Sequence, residues 1–575
     1  MHSAHHSPKL CSALLALSVL AGSATASAAG LSAQKETPAI FSSFSYTGND
    51  SYYNANPLTS DDEFFNPILP GWYSDPSVCG NGKGDYFLVT STFTFVPGVP
   101  IFHSRDLVNW KQIGHVLTRP SQMKNFEHQH VSGGIFAPAI SYCPANKTYY
   151  MITTNVGAGN FFVKTTDPFG EWSDPIYLPE VQGIDPAFFF DDNGKAYIVN
   201  NDDAPDAKPE YPGHRTVRVV EFDINTDKCV GERKIVVNKG CRPEEKPIWC
   251  EGPHIYKVNG EYYLMTAEGG TSWNHSEVIY RGPSPFGPYT PWEGNPILTQ
   301  RDLPGDRSNP ITCAGHADLV QTTEGDWWAV FLACRPVADG VENLGRETFL
   351  LPVQWTYGGW PVITHKGDEV PMKMKRPGVV RGENVTFGNF SITDDFSAPE
   401  LGMEWCTLRG DANQYYSLAE NPGNLTLRCA PVAMSEKEVI PFVGRRIQHH
   451  EFTATTDMSF KPTKANQNAG LAVLKDETHQ YHLVKARVGK SDCIQLRKIT
   501  DGGSEVMASV KAPKAKWLKL KVEGNGKTFA FSYSADGGKS WNSVADGVDA
   551  AYTSTAVAGG FTGTLVGPFA SSILQ

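Results

Sequence analysis

Five stretches of this chain repeat one grammar: a short polar opening, an apolar run, a Gly or Asn turn, then an aromatic strand. The openings are Ser74-Asp75-Pro76, Ala137-Pro138-Ala139, Asp185-Pro186-Ala187, Glu251-Gly252-Pro253 and Gly315-His316-Ala317. Each leads to a turn and strand such as Gly84-Asp85-Tyr86-Phe87-Leu88 or Gly260-Glu261-Tyr262-Tyr263-Leu264. Counted at 75, 137, 185, 251 and 316, they recur every 48 to 66 residues, too long for one hairpin and suited to a four-stranded unit with loops. The spacing predicts a five-bladed β-propeller over residues 66–370; a stack of unrelated hairpins would share the strands but not the regularity.

The innermost strand of each propeller blade lines the central axis, so the opening residues should converge at one mouth. Asp75, Asp185 and Glu251 would then meet from three separate repeats, with Ala137 and His316 completing the ring. A single acid beside a proline is usually a turn cap. Three at equivalent repeat positions point instead to a shared pocket.

The repeat stops after Ile363, and residues 371–390 read as a linker. From Asp394-Asp395-Phe396 onward, alternating runs such as Trp517-Leu518-Lys519-Leu520-Lys521-Val522 predict a β-sandwich over residues 391–575. Arg445, Arg446, His449 and His450 fall between its strands and read as solvated loop side chains. The fold class is therefore all-β, a propeller followed by a sandwich. Residues 29–65 are set apart as an N-terminal segment.

Residues 1–28 have the build of a secretory signal, with Lys9, an apolar run from Leu10 to Ala21, and small residues at Ala24-Thr25-Ala26 or Ala26-Ser27-Ala28. A secreted, extracellular protein is expected. The ten cysteines beyond Cys11 then permit disulfides, with Cys241 and Cys250 as partners across a short loop, and sequons at Asn49, Asn146, Asn274, Asn384, Asn389 and Asn424 suit a glycosylated surface. A formal charge of −11 argues against nucleic acid or an anionic membrane as partner.

Cleaving a glycosidic bond requires one protonated carboxyl to donate to the leaving oxygen and one carboxylate to activate water or attack carbon. Three converging acids supply both and leave one to tune the others. Asn66-Pro67-Ile68-Leu69-Pro70-Gly71-Trp72-Tyr73-Ser74-Asp75-Pro76-Ser77, Gly183-Ile184-Asp185-Pro186, Trp249-Cys250-Glu251-Gly252-Pro253 and Leu344-Gly345-Arg346-Glu347-Thr348 together resemble the family 43 glycoside hydrolases, the β-xylosidase and α-L-arabinofuranosidase group.

The resemblance implies that Asp75 is the general base, Glu251 the general acid and Asp185 a residue that tunes pKa and orients, in a reaction that inverts the anomeric centre. It implies that Arg346 approaches the carboxylates and that His316 lies on the axis, where some members hold calcium or another ion; a packed, hydrogen-bonded histidine is the equal alternative. No cofactor is required. Trp72, Phe93, Phe136 and Trp273, near the openings, are candidate faces for stacking sugar rings. The expected substrate is plant cell-wall arabinoxylan or its oligosaccharides, with removal of terminal α-L-arabinofuranose favoured over β-1,4-xylosidase or bifunctional activity, and endo-cleavage of arabinan third. The insertion from Asn200 to Arg215 resembles loops of members acting on xylose-containing substrates. A non-catalytic sugar-binding propeller is the rival from another class; the presence of all three acids and Arg346 counts against it.

Overall fold

The computed structural model describes residues 38–338 and 341–574. The expected leader, residues 1–28, lies outside them. No helix among the described residues is long and apolar enough to cross a membrane.

Each repeat forms one antiparallel sheet. The first contains Ser77–Gly80, Tyr86–Val89, Gly98–Ser104 and Lys111–Leu117, and the second Ala139–Cys143, Thr148–Asn155, Gly159–Thr165 and Ile176–Tyr177. The third contains Ile184–Phe190, Ala196–Asp203, Arg215–Asp223 and Lys228–Asn238. Glu251–Val258, Glu261–Glu268 and Ser276–Gly282 begin the fourth, and Thr312–Gln321, Trp327–Cys334 and Glu347–Trp355 the fifth. First strands pack against first strands in cyclic order, and the fifth sheet's returns to the first sheet's. The result is a β-propeller with the repeat openings around its axis.

Among the described residues, no sheet of the ring lends a strand to another. Asp318 of the fifth sheet accepts hydrogen bonds from the Ser77 hydroxyl (2.7 Å) and the Val78 amide (2.9 Å) of the first, and Leu69 bridges to Thr348. Tyr256 of the fourth sheet donates to the other Asp318 oxygen at 2.7 Å. One buried carboxylate thus ties three sheets together beneath the openings.

The second half is a sandwich of an eight-stranded and a six-stranded sheet. Its core gathers Phe44, Leu425, Leu471, Leu483, Leu520 and Val566, among others. The N-terminal segment is not separate from it. Pro38–Gly48 is an interior strand of the larger sheet, pairing with Ser391–Asp394, Leu425–Arg428 and Glu451–Ser459. The expected linker also contributes structure, because Lys373–Lys375 pairs with Glu63–Phe65.

Two further expectations are corrected. Cys241 and Cys250 are not joined to each other: Cys241 Sγ lies 3.3 Å from the Glu268 carboxylate and Cys250 Sγ 3.5 Å from the Thr266 hydroxyl, so each has a polar partner of its own. Arg445, Arg446 and His449 are buried rather than solvated. Arg446 stands 4.1 Å from the centre of the Trp72 ring and 4.2 Å from that of Tyr73, and donates to the Trp72 carbonyl at 2.9 Å. Stacking between aromatic faces and bonding to a carbonyl let a guanidinium leave water, and here they fasten sandwich to propeller.

Candidate active site

The three acids do converge. Asp75 sits just before the first strand of its sheet and Asp185 at the start of its own, both with left-handed backbone (φ 54° and 53°); His316 is also left-handed (φ 51°) but lies midway along Thr312–Gln321. A non-glycine residue held there costs about 1–2 kcal/mol, so surrounding structure must impose it. In the third, fourth and fifth sheets the pairing of first and second strands slips at the functional residue: between Ile184 and Ala187, Glu251 and His254, and Gly315 and Asp318. A bulge at that point turns the side chain out of the pleat, toward the axis.

Contacts link the acids across sheets. The Gly252 amide donates to Asp185 at 3.1 Å, joining the third sheet to the fourth beside Glu251. Gly252 is left-handed (φ 55°), and a Cβ there would stand 2.9 Å from the His316 ring, so only glycine lets that imidazole lie against the strand. Asp75 accepts from the Ser91 hydroxyl at 2.5 Å and from the Arg346 guanidinium at 3.0 Å. All three acids, with His316 and Arg346, are buried.

Their titration diverges. Burial pushes the Asp75 carboxyl up, but the Arg346 guanidinium, neighbouring His316 and the Ser91 hydroxyl outweigh it and hold Asp75 below the ordinary carboxylate range. Glu251 goes the other way: burial, then the charges of Asp185 and Asp75, push it well above its ordinary value. Asp185 is raised by burial and by Asp75, against His316, the Gly252 amide and Arg215. The site therefore biases one carboxyl toward the ionised form and another toward the protonated form, the pairing that acid–base cleavage of an acetal needs.

Of the expected aromatic faces, Trp72 is fully buried, with Phe95, Phe93 and Arg446 around its ring, so it presents no face to a ligand and acts as support. Phe93 is nearly as buried; Phe136 is half-buried and meets it edge-on at 5.8 Å. Trp273 is exposed on the rim of a cavity of about 750 Å³ that Arg346, Glu342, Cys313, Cys334 and Phe561 also line.

Phe561 was missed by sequence reasoning. It comes from the sandwich, is 37% exposed, stacks near Phe93 with ring centres 6.1 Å apart, and lies 5.3 Å from the Arg346 guanidinium. Its amide donates to the Ser132 hydroxyl at 2.9 Å, closing the sandwich against the propeller mouth. Nothing in Gly559-Gly560-Phe561 marks a pocket wall, because what makes it one lies more than 200 residues away in the chain. Gly345, beside Arg346, permits the approach: a Cβ there would meet the Gly563 amide nitrogen at 2.6 Å.

His275 was missed as well. Its Nδ1 pairs with the Cys313 carbonyl at 2.8 Å, while its Nε2 is buried without a partner, as is Arg346 Nε. Nothing among the described residues supports a calcium at His316. Calcium takes six to eight oxygen ligands, whereas His316 offers imidazole nitrogen, and among the described residues no group of three or more His, Cys, Asp or Glu is arranged to hold a metal.

Comparison with known proteins gives consistent matches. The profile of the Glycosyl hydrolases family 43 matches residues 64–361, and that of the Beta xylosidase C-terminal Concanavalin A-like domain matches residues 393–575. A non-reducing end alpha-L-arabinofuranosidase of Bacteroides ovatus is 35% identical over 529 residues, 90% of this chain and 93% of the relative. A xylosidase/arabinosidase of Butyrivibrio fibrisolvens is 37% identical over 520 residues, 88% and 95% of the two chains. Among solved structures, a GH43_12 protein retrieved from a capybara gut metagenome superposes with a TM-score of 0.86 at 43% identity, covering 93% of this chain and all of that one.

Proposed function

The chain belongs to the family 43 glycosyl hydrolases, and from that membership we propose that it is an inverting, exo-acting enzyme that removes terminal α-L-arabinofuranosyl units from arabinoxylan. It is a glycoside hydrolase rather than a sugar-binding propeller without chemistry. The observation that carries the mechanism is the opposite titration of Asp75 and Glu251 within one buried site.

Ionised Asp75 takes a proton from water as its oxygen attacks the anomeric carbon. Protonated Glu251 donates to the glycosidic oxygen as the bond from carbon to the leaving sugar breaks. Asp185 keeps Glu251 protonated through its charge and, bonded to the Gly252 amide, orients the acid's strand. Arg346 holds Asp75 ionised and offers its unpartnered Nε to a sugar hydroxyl; His275 Nε2 is an acceptor for another. Phe561 and Phe136 supply the apolar wall. Because the loop carrying Phe561 presses on the propeller mouth, the site suits a chain end rather than a chain passing through.

Arabinose as the released sugar is supported by the relative named for non-reducing end arabinofuranose, whose length this chain nearly spans. A β-1,4-xylosidase, or a bifunctional enzyme, is the second reading, favoured by the relative named xylosidase/arabinosidase and by the matched xylosidase C-terminal domain. Chromatography of the products from arabinoxylan and from xylobiose decides between them. Arabinose from the first and no xylose from the second is expected, and the reverse overturns the choice of sugar. Proton NMR in the first minutes should show the inverted anomer. The propeller is read as five-bladed on the strength of its consecutive sheets and their cyclic packing. The leader-like build of residues 1–28 supports an exported enzyme.

A further inference from the structure

We propose that Trp249, backed by Arg215, is the platform that binds the sugar on the leaving side of the scissile bond, a xylopyranose unit of the xylan chain. The inference rests on the reading of Asp75 as base and Glu251 as acid. Inversion requires water to attack from the face opposite the leaving group, so the leaving sugar lies beyond Glu251 as seen from Asp75. Asp75 belongs to the first sheet and Glu251 to the fourth. The exit therefore runs over the third and fourth sheets. The cavity at Trp273 is lined by Thr312, Cys313 and Cys334 of the fifth sheet and by Arg346, so it opens between the fourth and fifth sheets and not between the third and fourth.

Over the third and fourth sheets stands a large aromatic ring that core packing does not account for. Trp249 precedes the acid by two residues and is 40% exposed. It is nonetheless held firmly. Its backbone is left-handed (φ 53°), and its amide donates to the Gly213 carbonyl at 2.9 Å. The Arg215 guanidinium lies over the ring at 5.4 Å. Arg215 is itself fixed to the Asn201 side-chain oxygen through Nε (2.9 Å) and Nη2 (2.6 Å), and to Asp203. It is close enough to the site to act electrostatically on Asp185 and on the acid Glu251.

A β-xylopyranose carries its hydroxyls equatorially, so both ring faces are C–H surfaces that suit an indole. Arg215 covers one side of Trp249, and the exposed area leaves the other to the sugar. A fixed, flat platform costs little ordering entropy when the chain arrives. The insertion from Asn200 to Arg215 thereby gains a function in the site, since Asn201, which also donates to the Cys250 carbonyl at 2.7 Å, carries Arg215 to the acid's strand.

The test compares two substrates that put the same sugar in the catalytic pocket: an arabinosylated xylo-oligosaccharide and the methyl glycoside, which has no ring on the leaving side. In Trp249→Ala the ratio of kcat/KM for the oligosaccharide over the methyl glycoside should fall about tenfold, with most of the change in KM. Trp249→Phe should recover part of it, and Trp273→Ala should leave the ratio alone. An unchanged ratio in Trp249→Ala, equal losses on both substrates, or a fall produced by Trp273→Ala would each overturn the assignment. Wild-type enzyme that releases no sugar from either substrate would instead overturn the function proposed above.

Discussion

At the scale of single residues, the site works by giving two carboxyls opposite preferences for a proton. Asp75 starts from an ordinary value of 3.8 and is held below it; Glu251 starts from 4.5 and is pushed well above it. Activity needs Asp75 ionised and Glu251 protonated, so kcat/KM should fall on the acid side below the ordinary Asp range and on the alkaline side only above the ordinary Glu range. Arg346→Ala removes the largest of the influences that hold Asp75 down and leaves His316 and the Ser91 hydroxyl to oppose burial. Its acid limb should move up by roughly one pH unit or more, read from a kcat/KM profile; an unmoved limb would deny Arg346 this role. The acid is tested separately. Glu251→Gln should cost roughly 10²–10⁴-fold with a sugar as leaving group, and far less with a dinitrophenolate that leaves unprotonated.

At the scale of elements, the pocket depends on a loop of the sandwich that carries no catalytic acid. Residues 555–562 present Phe561, and one buried lysine secures the loop at both ends: Lys475 Nζ donates to the Thr555 hydroxyl at 2.8 Å and to the Thr562 carbonyl. Glu342, buried beside it, accepts from the Gly345 amide at 2.6 Å, next to Arg346. Phe561→Ala should lower kcat/KM about tenfold with little change in Tm, because the ring is 37% exposed. Lys475→Met should lower both, since a buried Glu342 without its cation costs on the order of 3–5 kcal/mol; thermal unfolding beside kinetics separates the two variants. These elements also show where sequence reasoning reached its limit. Asp75, Asp185, Glu251 and His316 were legible because a polar opening at a regular interval marks the axial end of each sheet. Phe561, Lys475 and the burial of Arg446 were not, because each is defined by a partner in the other half of the molecule, and local pattern says nothing about which loop faces which. Trp72 misled for the same reason: an aromatic beside an acid is legible, but the Arg446 that covers it is not.

At the scale of the whole molecule, the two halves are not consecutive beads. The strand Pro38–Gly48 precedes the propeller in sequence yet lies inside the sandwich's larger sheet, where Phe41, Phe44 and Tyr46 are fully buried. Burying three such aromatics contributes about 5–9 kcal/mol, comparable to the whole stability of an ordinary domain. Residues 391–575, bounded by sequence as a sandwich, therefore lack an interior strand when taken alone. That fragment should show no cooperative thermal transition by circular dichroism, whereas the same fragment with residues 38–48 joined through a flexible linker should melt cooperatively; a sharp transition in the fragment alone would contradict the dependence. The consequence reaches catalysis, because the sandwich holds Phe561 against the propeller. Removing residues 38–48 from the full chain should depress kcat/KM at least as far as Phe561→Ala does, although the deletion touches no residue of the site. Restoring the strand as a separate peptide should recover activity and the sandwich's transition together, as expected if one interior strand couples the stability of the second half to the shape of the pocket in the first.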